Sequence, residues 1–132
     1  MEPMQVIYPN AAGLDIGSTE IMVAIPPDRE GETVRGFGTY TPDLKELADW
    51  LAEKRVTHVA MESTGVYWIP IYELLVERGF ETIVVNARHI KTPPGRKSDV
   101  KDCQWIQRLH SYGMLSGSFR PGADMCTLRA YL

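Results

Sequence analysis

Four carboxylates carry the chemistry this chain could perform. Asp15 sits in Gly13-Leu14-Asp15-Ile16-Gly17-Ser18, and Glu62 closes His58-Val59-Ala60-Met61-Glu62. Asp99 and Asp102 lie in Arg96-Lys97-Ser98-Asp99-Val100-Lys101-Asp102. Leu14 and Ile16 flank Asp15, so an extended chain turns its carboxyl to the face opposite theirs. Asp99, Asp102, Ile106 and Leu109 fall on one helical stripe, acidic at one end and apolar at the other. Carboxylates on a core-facing stripe are costly unless positive charge meets them. Each acid also has a local reading: the Asp99/Asp102 pair as first-turn acids that favour a helix start, Asp15 as an acceptor for the amides of the turn after it. Brought together, the acids would repel and raise one another's pKa values. Mg2+ would relieve that repulsion, because it prefers carboxylate oxygens and keeps some of its water; two ions are expected, with Mn2+ as a substitute. Two ions about 3.5–4 Å apart would clamp a phosphodiester for in-line attack.

Such a site needs elements to position it. Gly13–Ile16 and Glu20–Ile25 read as two strands joined by a turn at Gly17-Ser18-Thr19, and Thr33–Tyr40 as a third strand weakened by two glycines. Thr41-Pro42 starts a helix with Thr41 as N-cap and an apolar stripe of Leu44, Leu47, Ala48 and Leu51. His58–Glu62 is a short buried strand. A second helix runs from about Trp68 to Arg78 and stops at Gly79, before a buried strand over Glu81–Asn86. The acidic stripe makes a third helix over Arg96–Leu109. Turns between the first three strands favour antiparallel pairing, and the intervening helices require parallel pairing afterwards. The first, fourth and fifth strands then lie side by side. Ligands of such sheets gather at the carboxyl ends of the parallel strands, where Glu62 stands beside Asp15.

The length of 132 residues, 44% apolar and 23% charged, suits one globular domain. No apolar run approaches the roughly 18 residues of a membrane span, and Met1-Glu2-Pro3-Met4 does not resemble a signal peptide. Cys103 and Cys126 lack metal-ligand spacing, so both are expected reduced in a cytoplasmic setting. The net charge of −3 is unevenly spread: residues 1–87 hold 6 Lys/Arg against 14 Asp/Glu, and residues 88–132 hold 8 against 3. A basic third beside an acidic body suggests a polyanion held along one edge. Arg88, Lys91, Arg96, Lys97 and Lys101 are the candidate contacts to a nucleic-acid backbone. Trp50, Trp68 and Trp105 occupy helix positions and read as packing residues. His58 and His110 read as structural or exposed.

The stretches Gly-Leu-Asp-Ile-Gly-Ser at Asp15, Met-Glu-Ser-Thr-Gly-Val-Tyr-Trp at Glu62 and Arg-Lys-Ser-Asp-Val-Lys-Asp at Asp99 and Asp102 resemble the DEDD transposases of the insertion-sequence-one-ten family. The likeness runs from about Gly13 to Pro121. It implies a RuvC-like, RNase H-like α/β fold: a mixed five-stranded sheet, three antiparallel strands then parallel ones, flanked by helices. It implies that Asp15, Glu62, Asp99 and Asp102 form a catalytic tetrad binding Mg2+. It further implies DNA recombination directed by a structured guide RNA, homo-oligomers of the full-length protein, and a prokaryotic cytoplasmic, nucleoid-associated setting. Residues 1–121 would form the RuvC-like domain. Residues 122–132 would begin a helical linker to a C-terminal domain bearing a nucleophilic serine, so this stretch alone should not complete recombination.

Two other classes compete. An actin-like or sugar-kinase-type ATP-binding fragment also carries Asp-x-Gly-Ser between two strands, but gives Asp99 and Asp102 no task. A non-catalytic nucleic-acid-binding scaffold would use the basic residues and ignore the acids.

Overall fold

A computed structural model describes residues 5–63, 65–86 and 99–117, with side chains in the last segment described from Asp102 onward. Five strands form one sheet: β1 (Ala11–Ile16), β2 (Ile21–Ala24), β3 (Val34–Phe37), β4 (His58–Ser63) and β5 (Glu81–Val85), in the order β3-β2-β1-β4-β5. β1 pairs antiparallel with β2, and β2 antiparallel with β3. β1 pairs parallel with β4, and β4 with β5. The helices are α1 (Thr41–Glu53), α2 (Ile69–Glu77) and α3 (Asp99–Ser111).

Alternation along the strands sorts two faces. Ala12, Leu14, Ile16, Ile21, Val23, Val59, Met61 and Val84 pack into one apolar cluster with Leu44, Leu47, Trp50 and Leu51 of α1 and Ile71, Tyr72 and Leu75 of α2. The other face carries α3, which lies across β1, β2 and β4. Trp50 and Trp68 are core residues, as their helix positions suggested.

α1 begins one residue earlier than Thr41 as N-cap implied. Tyr40 is the N-cap, and its backbone N–H donates to Asp43 Oδ2 at 3.1 Å, so the acid at the third helical position does the capping. β3 ends at Phe37, short of the expected Tyr40, and the Asp43 carboxylate occupies the space that a side chain at Gly38 would need. β1 begins two residues before Gly13, adding Ala11 and Ala12.

α1 and α2 end alike. Val56 N–H donates to Leu51 O and Arg55 N–H to Ala52 O; Phe80 N–H donates to Leu75 O and Gly79 N–H to Val76 O. This closure needs a left-handed residue, which is Gly79 after α2 (φ 91°) but Arg55 after α1 (φ 61°).

Candidate active site

The site is built on three rows across the α3 face of the sheet. In the upper row, Asp15 pairs in register with Met22 on β2 and with Glu62 on β4. In the middle row, Gly13 pairs with Ala24 and Ala60. In the lower row, Ala11 pairs with His58. Small residues in the middle row leave a shallow bed in which a helix can lie close to the strands. The upper row, at the carboxyl ends of β1 and β4, holds two acids on adjacent parallel strands.

α3 runs antiparallel to β1, and its contacts descend in order. Ser111 O accepts hydrogen bonds from Ile7 N (2.8 Å) and Tyr8 N (2.9 Å). Gln107 Nε2 donates to Ala11 O at 3.2 Å, in a buried position. The backbone at Cys103 and Gln107 rests directly on Gly13. This antiparallel course brings the helix N-terminus, with Asp102 in its first turn, to the upper row.

There Glu62, Asp15 and Asp102 interact. Burial raises the Glu62 pKa above its ordinary 4.5; a hydrogen bond with Asp15 opposes the rise, and the charge of Asp102 adds to it. Asp15, Glu62 and Asp102 are all half-buried. The Cys103 thiol is pushed up to about 12 by burial, then by the negative charge of Asp15 and Asp102. Its thiolate form is therefore strongly disfavoured at neutral pH.

The structure thus brings three of the four sequence-derived acids together. Asp99 begins α3, one turn before Asp102, and its side chain lies outside the described residues. Among the described residues, no group of three or more His, Cys, Asp or Glu side chains is already arranged to hold a metal ion. Arg88, Lys91, Arg96 and Lys97 lie outside the described residues, as does the side chain of Lys101.

The buried face of α3 is not quite the expected stripe. Cys103, Ile106, Gln107 and His110 are buried, while Leu109 is only half-buried. Two polar residues thus take core positions that the apolar pattern would have given to Leu109. His110 is 3% exposed, and neither ring nitrogen has a hydrogen-bond partner among the described residues. It packs against Tyr8 (ring centroids 5.2 Å apart) and His58 (6.2 Å), and Tyr8 stacks on His58 at 4.3 Å. Sequence reasoning missed Gly13 and Gln107 altogether. The available signal was the alternation of small residues, Ala11 and Gly13 on one side of a strand.

An α/β/α sandwich with acids at the ends of adjacent parallel strands and on the helix crossing them has the RNase H-like, RuvC-like fold. Thermus thermophilus RuvC is a structural neighbour, 14% identical, with a TM-score of 0.58. RuvC of T. thermophilus in complex with a Holliday junction substrate is another, also 14% identical, with a TM-score of 0.59. Both alignments cover 80% of this chain and 98% of the neighbour. The family model for the IS110-type DEDD transposases matches residues 12–131, and the chain belongs to that family. A search of curated proteins finds no match. Among the described residues, no helix is long and apolar enough to cross a membrane.

Proposed function

We propose that this chain is the divalent-cation-dependent carboxylate domain of a DNA recombinase, acting on phosphodiester bonds under the direction of a structured guide RNA. One observation carries the reading: Asp15 and Glu62 are paired in register on β1 and β4, and Asp102 on α3 bears on them electrostatically. Membership of a transposase family supports a DNA substrate. So does the solution of a same-fold protein with a Holliday junction. The guide RNA, the homo-oligomer and the partner domain with its serine rest on the family resemblance.

The donor set suits a hard cation, because three half-buried carboxyls offer oxygen donors. Asp15, Glu62 and Asp102 would hold Mg2+, with Asp99 one turn away. Bound there, the ion would supply positive charge to a phosphoryl oxygen and lower the pKa of a coordinated water. The chain's own residues do the rest. The sheet and α3 hold the three acids on rigid elements. Arg88, Lys91, Arg96, Lys97 and Lys101, close before or within the start of α3, would neutralise the DNA backbone.

Mn2+ titration followed by paramagnetic NMR broadening tests this directly. Broadening should centre on Asp15, Glu62 and Asp102 and be lost in Asp15→Asn and Asp102→Asn. In the full-length protein the double variant should lose DNA strand exchange and keep RNA binding. Normal exchange by that variant would refute the catalytic assignment. Protection by ATP, rather than by Mg2+ or Mn2+ alone, would favour the kinase-type reading.

A further inference from the structure

We infer that Gly13 and Gln107 are the positioning residues of the carboxylate site: they set how deeply, and at what height, α3 lies on β1, and hence where Asp102 stands relative to Asp15 and Glu62. The inference rests on the reading of those acids as a cation site.

Gly13 has no left-handed backbone to explain it. Space explains it. A Cβ at this position would lie 2.5 Å from Cys103 O and 2.9 Å from Gln107 Cα, and closer still to Gln107 N. All three are backbone atoms and cannot swing aside as a side-chain end can. The bed around Gly13 is already made of alanines, Ala24 and Ala60, on both neighbouring strands. Any side chain here must therefore lift the helix itself, by roughly 1 Å to reach ordinary contact. Cys103 is the next residue after Asp102, so the lift is delivered to Asp102 undiminished. Gln107 governs the other coordinate. Its buried side-chain N–H donates to Ala11 O, two residues below Gly13, and fixes the helix along the strand axis. Depth and height together determine whether the Asp102 carboxylate reaches the pair on the sheet. The core on the opposite face, formed with α1 and α2, does not depend on either residue.

The test compares the 132-residue chain with Gly13→Ala, Gln107→Leu, Asp102→Glu and Gly13→Ala/Asp102→Glu. Crystal structures should show α3 withdrawn from β1 in Gly13→Ala. Mn2+ affinity should fall about tenfold or more in both single variants, the scale on which groups supporting metal ligands act. The longer arm of Asp102→Glu should restore affinity in the Gly13→Ala background while lowering it in the parent. A purely structural role would not produce that rescue. A folded Gly13→Ala with α3 in place, parental Mn2+ affinity in both single variants, or failure of the rescue would overturn the inference. Should Gly13→Ala not fold, Gln107→Leu decides alone. Should the parent chain bind no Mn2+, the cation-site reading falls, and the position of α3 in the crystal structures still decides the role of Gly13.

Discussion

Lowering the pH should weaken the fold through one residue, His110, by an amount that can be worked out. Its ring is 3% exposed, lies against Tyr8 and His58, and has no hydrogen-bond partner at either nitrogen among the described residues. Burial, and then the neighbouring His58, lower its pKa from 6.5 to about 4. The folded value is depressed, so the unfolded chain takes up the proton first. The related stability is fully present above the unfolded pKa of 6.5 and is lost as pH falls toward 4. At about pH 5 the unfolded ring is mostly charged and the folded one mostly neutral, which costs about 2 kcal/mol; below both values the loss approaches about 3 kcal/mol. That is a large part of a typical domain's stability.

Urea unfolding followed by tryptophan fluorescence at about pH 7.5 and about pH 5 measures the loss, with His110→Phe as the reference. Phenylalanine keeps the ring contacts and cannot titrate. Titrating groups remote from His110 contribute equally to both proteins, so the wild type should lose about 2 kcal/mol more than the variant between the two pH values. At the higher pH the variant should be as stable as the parent or more so by about 1 kcal/mol, since two unpaired buried nitrogens are removed. Equal losses in both proteins would refute the argument. The effect reaches the candidate site, because His110 precedes Ser111, whose carbonyl anchors the foot of α3 to Ile7 and Tyr8.

Further outcomes follow from single positions. Asp102→Asn should stabilise the chain in a chelator, because it removes the charge that bears on Glu62, and should abolish the stabilisation that Mn2+ gives the parent; thermal unfolding with and without Mn2+ reads both. Arg55→Gly should add up to about 1 kcal/mol in urea titration, because glycine occupies the left-handed position after α1 without the Cβ clash that arginine suffers. Cys103, fully buried with its pKa pushed up to about 12, should resist iodoacetamide in the folded protein and react at the rate of unfolding, as peptide mass spectrometry would show.

The sheet order and the facing of Asp15 and Glu62 were legible because they depend on period-two alternation and on helices separating strands. Leu14 and Ile16 mark one face, and Asp15 therefore marks the other. The approach of α3 was legible only in part. Apolar periodicity cannot rank glutamine or histidine as core residues, so it centred the stripe on Leu109 and passed over Gln107 and His110. Their burial depends on partners far away in the chain: Ala11 O for Gln107, and the rings of Tyr8 and His58 for His110. The cap of α1 slipped by one residue for a similar reason. Thr41 is the better capping type, but Asp43 reaches back to the Tyr40 amide and fixes the start there.

The charge inventory of the upper row leads to one more test. Three half-buried carboxyls meet the N-terminal end of α3, whose dipole supplies the equivalent of only about half a positive charge. Burial, with the charge of Asp102 adding to it, favours a proton on Glu62 and raises its pKa, while a hydrogen bond with Asp15 opposes the rise. With its folded value above the ordinary 4.5, the stability tied to that proton is present at lower pH and is lost as pH rises through the raised value. A divalent cation would have to displace the same proton, so metal and proton compete for one place. Mn2+ affinity should therefore climb as pH rises through the raised Glu62 pKa, releasing up to about one proton per ion, and level off above it. Isothermal titration in buffers of different ionisation enthalpy counts the released protons directly. Affinity that does not change across the acidic range, with no proton released, would mean that no proton on Glu62 competes with the ion and that the acids at the head of α3 are held together by something other than the need for a cation.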